Sequence, residues 1–276
     1  GFGLTITPGR LAQALHRAAA RASPTYQALV RAVQRSPVVA PDETGWKVGG
    51  HLWWLWAFVT RTLTVYAIQP GRGYAQATAI LGPDYAGVLV RDGWAPYRKL
   101  RHATHQTCLA HLLRRCHLLL ETAERGAARF PHAVRRLLLR ALTLRDRRDA
   151  GTLTGHGLRV ARGRLAAQTD RVLAGRIVHP PNRRLRQHLR TERVALFTCL
   201  TRPEVEATNW QAEQAIRPAV VTRKVCGGNR TPHGAATQQI VASVLRTCPQ
   251  QERDPLALFI ALQCSPRPVV ADLSFR

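Results

Sequence analysis

Acidic side chains are scarce in this chain: 16 Asp and Glu stand against 41 Lys and Arg, a formal net charge of +25. A globular protein this basic repels itself unless a polyanion neutralises it, so nucleic acid is the first partner to consider. Nearly all of the positive charge is arginine, spread along the chain rather than gathered in a tail. Arginine suits phosphate because its planar fork donates two parallel hydrogen bonds. A GC-rich coding bias raises the arginine count but does not account for the missing acids. Long apolar runs are also lacking. None reaches the roughly 18 to 20 residues of a membrane span, and the most aromatic stretch, 51–60, is too short. No secretory signal opens the chain. The six cysteines, at 108, 116, 199, 226, 248 and 264, form no Cys-x-x-Cys pair and no disulfide-framework spacing, which fits a reducing cytosol. Methionine is absent even from position 1, which suggests a partial reading frame with a further region upstream.

What is present is enough for a real core: 276 residues at 45% hydrophobic content, in one large domain or two small ones. Residues 1–36 read as an N-terminal helical segment, with Leu11, Leu15 and Ala18 at helical spacing. From Pro37 the period changes. The run Val38-Val39-Ala40 ends in Pro41-Asp42, and 52–60 and 63–68 follow as two more strands, an antiparallel meander. A short helix over 74–81 is closed by Gly82, and the apolar run 87–90 reads as a buried strand ending in Arg91-Asp92-Gly93. Helical periodicity resumes at about His105 and continues through Leu120, then again over 130–144. Residues 151–193 read as helices and loops. Thr208 or Asn209 can cap a helix that Pro218 limits at Arg217, and helices over 234–247 and 255–263 follow. The expected fold is α/β, with residues 37–100 as the first part of a core and 201–265 as helices completing it. Residues 101–200 form a mainly helical, Arg-rich insertion.

In so basic a chain the placement of the few acids is informative. Asp42 and Asp92 each stand just past an apolar strand, and Glu213 stands in the first turns of a capped helix. If the two strands share a sheet and the helix packs on it, three carboxylates can meet. Such a set binds hard divalent cations, which prefer oxygen ligands. Two ions about 3.5 to 4 Å apart can activate a water or 3′-hydroxyl and stabilise the leaving oxygen of an in-line phosphoryl transfer. The alternative for each acid alone is a carboxylate that solvates or caps a turn. Glu43, next to Asp42, points to the opposite face of a strand and is not expected to be a ligand.

Four blocks carry a family resemblance: Asp42-Glu43-Thr44-Gly45-Trp46; Gly87 to Asp92 continuing Gly93-Trp94-Ala95-Pro96-Tyr97; Cys108-Leu109-Ala110-His111-Leu112-Leu113-Arg114-Arg115; and Thr208-Asn209-Trp210-Gln211-Ala212-Glu213-Gln214-Ala215-Ile216-Arg217-Pro218, followed by Arg223-Lys224. In this order, over about residues 25–262, they resemble the insertion-sequence-66 family of bacterial DDE transposases. The resemblance implies a ribonuclease-H-like mixed sheet with flanking helices and a long helical insertion between the second and third catalytic acids. It implies DNA transposition and recombination by Mg²⁺- or Mn²⁺-dependent cleavage and joining of element ends, with Asp42, Asp92 and Glu213 as catalytic and metal-binding triad. It also implies assembly as a homo-oligomer on DNA, accessory transposition proteins, and a cytoplasmic, nucleoid-associated place in a bacterium. Two positions in the last of these blocks depart from the family's pattern. Trp210 stands where a second Asn is usual, and Gln214 where an Arg follows the Glu. A catalytically inactive DNA-binding remnant is therefore the alternative function, and another ribonuclease-H-like nuclease is a third.

His102, His105, Cys108 and His111 recur every three residues and invite a zinc reading. On one helix each such step turns about 300°, which would set His102 and His111 on nearly opposite sides. Cys108 and His111 alone share a face, and a structural or supporting role near Asp92 is the expectation, with zinc or no special role as alternatives. Arg114 and Arg115, with the arginines at 135, 136, 140, 145, 147 and 148, form either a solvated surface or a phosphate-contacting one. Arg217 lies one turn beyond Glu213, and with Arg223 and Lys224 it is a candidate to hold the DNA backbone. Trp46, Trp53, Trp54 and Trp56 read as packing residues rather than base-stacking ones.

Overall fold

The computed structural model describes residues 6–267 and 269–271. In chain order the main elements are α1 (Pro8–Arg35), β1 (Val38–Val48), β2 (His51–Val59), β3 (Thr64–Gln69), α2 (Tyr74–Leu81), β4 (Val88–Arg91), β5 (Thr104–Thr107) and α3 (Leu109–Glu121). They continue with α4 (Arg129–Asp149), α5 (Gly155–Ala174), α6 (Pro180–Thr191), α7 (Trp210–Cys226), α8 (Pro232–Gln250) and α9 (Pro255–Cys264). The architecture is mixed α/β, with antiparallel and parallel strand pairs and many helices. The described residues divide into two compact units, one of residues 6–87, 99–102, 210–267 and 269–271, the other of residues 88–98 and 103–209.

In the first unit β1, β2 and β3 form the antiparallel meander expected from the sequence. The β1–β2 hairpin turns at Gly49 and Gly50, both at positive φ, a conformation that glycine adopts without strain. Trp46 and Trp56 are wholly buried in this sheet, in agreement with a packing role. Thr7 caps α1 by accepting from the Arg10 amide, and Pro8 supplies a fixed φ where no helical N–H is needed. The buried face of α1, including Tyr26, Leu29 and Val33, packs against α8, and the Tyr26 hydroxyl donates to the Tyr66 carbonyl of β3.

The second unit pairs β4 with β5 in parallel and also holds α3 to α6, which pack on one another. In sequence these four helices lie between Asp92 and Glu213. The α4–α5 pair buries Leu137, Leu138, Ala141 and Leu165.

Three sequence expectations need correction. β1 does not end at Pro41. A proline lacks the N–H of a ladder bond, but alternate residues of an antiparallel strand direct that group away from a given neighbour. Pro41 therefore sits opposite Phe58 and the strand runs on to Val48, leaving Asp42 inside it rather than past it. Residues 104–107 are strand, not helix, because they pair with β4, so α3 begins only at Leu109. Finally, α7 passes through Pro218 to Cys226. The local cost of an internal proline is offset by packing of α7 on β1 and β2.

Candidate active site

In the first unit the register of the meander places Asp42, Ala57 and Tyr66 in one row across the three strands. Directly opposite residues of antiparallel strands share a face, and so do residues two apart on one strand. Asp42 therefore faces the same way as Thr44 and Tyr66. Both of those neighbours contact α7: the Tyr66 hydroxyl donates to the Ala215 carbonyl at 2.6 Å, and Thr44 Oγ1 accepts from Arg223 Nη1 at 3.2 Å. Thus α7 lies over the face that carries Asp42, and the row of Asp42 meets α7 at Ala215, two residues from Glu213. Asp42 and Glu213 are both half-buried. Glu43 points away from that face, is 1% exposed, and forms an ion pair with Arg72 at 2.7 Å.

Asp92, in the second unit, directly follows the carboxyl end of β4 and is also half-buried. Its Oδ1 accepts from the Trp94 amide at 2.8 Å, which closes a small turn over residues 92–94. In the parallel pair Arg91 is in register with Thr107, so Asp92 and Cys108 leave the two strand ends side by side, and the Cys108 amide donates to the Arg91 carbonyl. Buried Cys108 directly precedes α3, and its Sγ accepts from the Asn209 amide at 3.2 Å. His111 stands in the first turn of α3, so this Cys–His pair lies beside the strand end that carries Asp92. The one-helix geometry assumed for the histidine–cysteine run does not hold, since His105 is on β5 and accepts at Nδ1 from Arg91 Nε. Among the described residues, His102 and His105 join no grouping of three metal-type ligands.

The basic candidates differ in their surroundings. Arg217, Lys224 and Arg114 are exposed. Arg115 is half-buried, and burial holds its guanidinium below the usual range, with the neighbouring Cys116 thiol opposing that shift. Arg223 Nη1 is engaged with β1, donating to Thr44 Oγ1 and to the Gly45 carbonyl. In the insertion Arg145 and Arg148 pair with their neighbours Asp146 and Asp149, while Arg135, Arg136 and Arg147 are exposed. An open groove of about 500 Å³ between α4 and α5 sets Arg136, Arg140 and Arg171 around Leu137 and Val172. Trp210 and Gln214, on either side of Glu213, are both exposed.

The sequence reading missed Glu192. Its carboxylate is 0% exposed and meets Arg91 at 2.8 Å and Arg98 at 2.9 Å. Thr107 donates to it at 2.7 Å. Burial pushes the Glu192 carboxyl up, but the hydrogen bonds and charges of Arg91, Thr107 and Arg98 outweigh it and hold the group below the usual glutamate range. His188, one turn earlier, packs on the turn after β4, where a Cβ at position 93 would run into its imidazole. Burial and the Arg115 charge hold His188 below its usual value, partly offset by Glu192. The one available signal was composition, since residues 101–200 hold 21 arginines and only 6 acids.

No helix among the described residues is long and apolar enough to cross a membrane. A search of curated proteins returns no match. The family profile described as "Transposase IS66 family" matches residues 1–237 of the 276. The four ordered sequence blocks lie within that span, and the chain belongs to the IS66 family of transposases.

Proposed function

We propose that this chain is a DNA transposase that cuts and joins the ends of its element, with a ribonuclease-H-like core in which Asp42, Asp92 and Glu213 hold two Mg²⁺ or Mn²⁺ ions. The observation that carries this reading is the packing of α7 on the face of Asp42, with the row of Asp42 meeting the helix two residues from Glu213. Asp92, at the carboxyl end of a parallel strand, supports it from the second unit. The donor set fits the ions: three half-buried carboxylates offer the oxygen ligands that hard cations prefer. When bound, two such ions supply Lewis-acid activation of a water or 3′-hydroxyl and stabilise the leaving oxygen.

The chain's own residues have separable tasks. The Trp94 amide occupies one oxygen of Asp92 and fixes the direction of the other. Exposed Arg217 and Lys224, on the helix that carries Glu213, hold backbone phosphates of the element end. Arg223 braces α7 against β1. Arg114, Arg115 and the insertion arginines extend the phosphate contact, and joining two ends requires a homo-oligomer on DNA, with accessory transposition proteins as further partners. Cys108 and His111 support the strand end beside Asp92.

The test is cleavage of a duplex carrying the element's own ends. Nicking that needs Mg²⁺ or Mn²⁺, stops with EDTA and is lost in Asp92→Asn is the expected result, followed by joining of the freed 3′ end to a second DNA. Exposed Trp210 and Gln214 beside Glu213 favour one second reading, a DNA-binding remnant. Binding of the ends without metal-dependent nicking would establish that reading instead.

A further inference from the structure

We propose that Glu192 is a positioning residue for Asp92: a buried carboxylate that fixes, through two arginines, the turn from which Asp92 projects. This inference rests on the reading of Asp92 as a metal ligand. Glu192 ends α6, far from Asp92 in sequence, yet it accepts from Arg91, Arg98 and Thr107 at 2.7 to 2.9 Å. Both arginines also reach the turn itself. Arg91 Nη1 donates to the Asp92 carbonyl at 2.8 Å, and Arg98 Nη1 donates to the Gly93 carbonyl at 3.1 Å. Two successive carbonyls are thus gripped by guanidiniums that one carboxylate holds in place.

The direction of the Asp92 side chain depends on this backbone, because the Trp94 amide that orients Oδ1 belongs to the same turn. His188, also on α6, fills the space above Gly93, so α6 holds the turn by packing as well as by charge. Arg91 is 2% exposed and cannot swing its charge into water, whereas Arg98, at 35%, can. Without the carboxylate, two like charges would remain beside the turn and drive it apart. Apolar residues of similar volume often match or exceed a buried ion group in stability, so this cluster's contribution is best sought in fixed geometry. Partners that orient a metal ligand from behind typically change metal affinity or activity by about 10- to 100-fold when removed.

The experiment uses the full chain with Glu192→Gln, Glu192→Asp and Arg98→Gln, read by amide hydrogen exchange and by the Mn²⁺ dependence of nicking. In Glu192→Gln, exchange over residues 91–97 should accelerate while α4 and α5 keep their protection. The Mn²⁺ concentration for half-maximal nicking should rise roughly 10- to 100-fold. Glu192→Asp, which keeps the charge, should recover part of both losses. Arg98→Gln, which spares the buried Arg91–Glu192 pair, should move both readouts the same way by less, and it decides the matter if Glu192→Gln does not fold. Wild-type exchange over 91–97 with wild-type Mn²⁺ dependence would overturn the proposal, as would loss of protection spread evenly over the second unit. If the wild-type chain does not nick DNA at all, the proposed function fails, and the exchange data alone still decide whether Glu192 holds the turn.

Discussion

Asp42 and Glu43 are adjacent carboxylates on β1, and the two-residue period of a strand sends them to opposite faces. Asp42 shares its face with Thr44 and Tyr66, which both touch α7. Glu43 is buried on the other face against Arg72, whose guanidinium also lies 4.8 Å over the Trp54 ring. The two should therefore respond differently to neutral substitution. Asp42→Asn is expected to abolish metal-dependent nicking with little change in stability. Glu43→Gln is expected to keep the same metal dependence while losing about 2 kcal/mol in urea unfolding, since it breaks an ion pair with one fully buried partner. Loss of metal dependence in Glu43→Gln with unaltered stability would reverse their roles. The strand alternation of this pair was legible in the sequence. Arg72 as the partner of Glu43 was not, because nothing in the spacing of residues 43 and 72 announces a contact made across the sheet.

At the level of elements, α8 answers the open edge of the meander. Among the described residues β3 pairs only with β2, and its outward N–H groups at Thr64, Tyr66 and Ile68 need acceptors. They find Thr247 Oγ1 at 3.1 Å, Ser243 Oγ at 2.8 Å and Gln239 Oε1 at 2.9 Å. These three lie four residues apart on α8, one stripe of polar side chains laid along a strand. Ser243→Ala removes the acceptor of a buried amide, at a cost of about 1 to 3 kcal/mol, and Thr247→Val should add a similar amount. Denaturant unfolding of the single and double variants checks this; no change in midpoint would show that the stripe is incidental. The sequence made α8 readable as a helix over 234–247. Its polar stripe was not readable as a strand partner, since Gln, Ser and Thr at this spacing look like an ordinary solvated face. Similar physics explains the other misreadings. On local grounds Pro41 and Pro218 read as boundaries, while strand pairing and packing on the sheet carry β1 and α7 past them. His105 fits a helical period, but four residues are too few to separate that period from a strand, and pairing with β4 decides.

Over the whole molecule, charge and acid placement belong to one account. More than half of the net +25 lies in residues 101–200, where 21 arginines meet 6 acids. Part of that excess is spent internally, on Asp146, Asp149, Asp170 and Glu192. The remainder, including the arginines around the α4–α5 groove, is available to a polyanion. The few carboxylates then sort by surroundings. Glu43 and Glu192 are buried against arginine, whereas Asp42, Asp92 and Glu213, the proposed metal ligands, are half-buried. The family was legible from the ordered blocks, which also nominate these three acids as candidates, and the arginine-held turn behind Asp92 only from the fold. The most direct measurement is a crystal structure grown with Mn²⁺ and read by anomalous scattering. The account predicts manganese bonded to carboxylate oxygens of Asp42, Asp92 and Glu213 together, at about 2.0 to 2.2 Å, near the octahedral distances of a hard divalent ion. Manganese elsewhere, or a Glu213 carboxylate that shares no ion with the two aspartates, would contradict it.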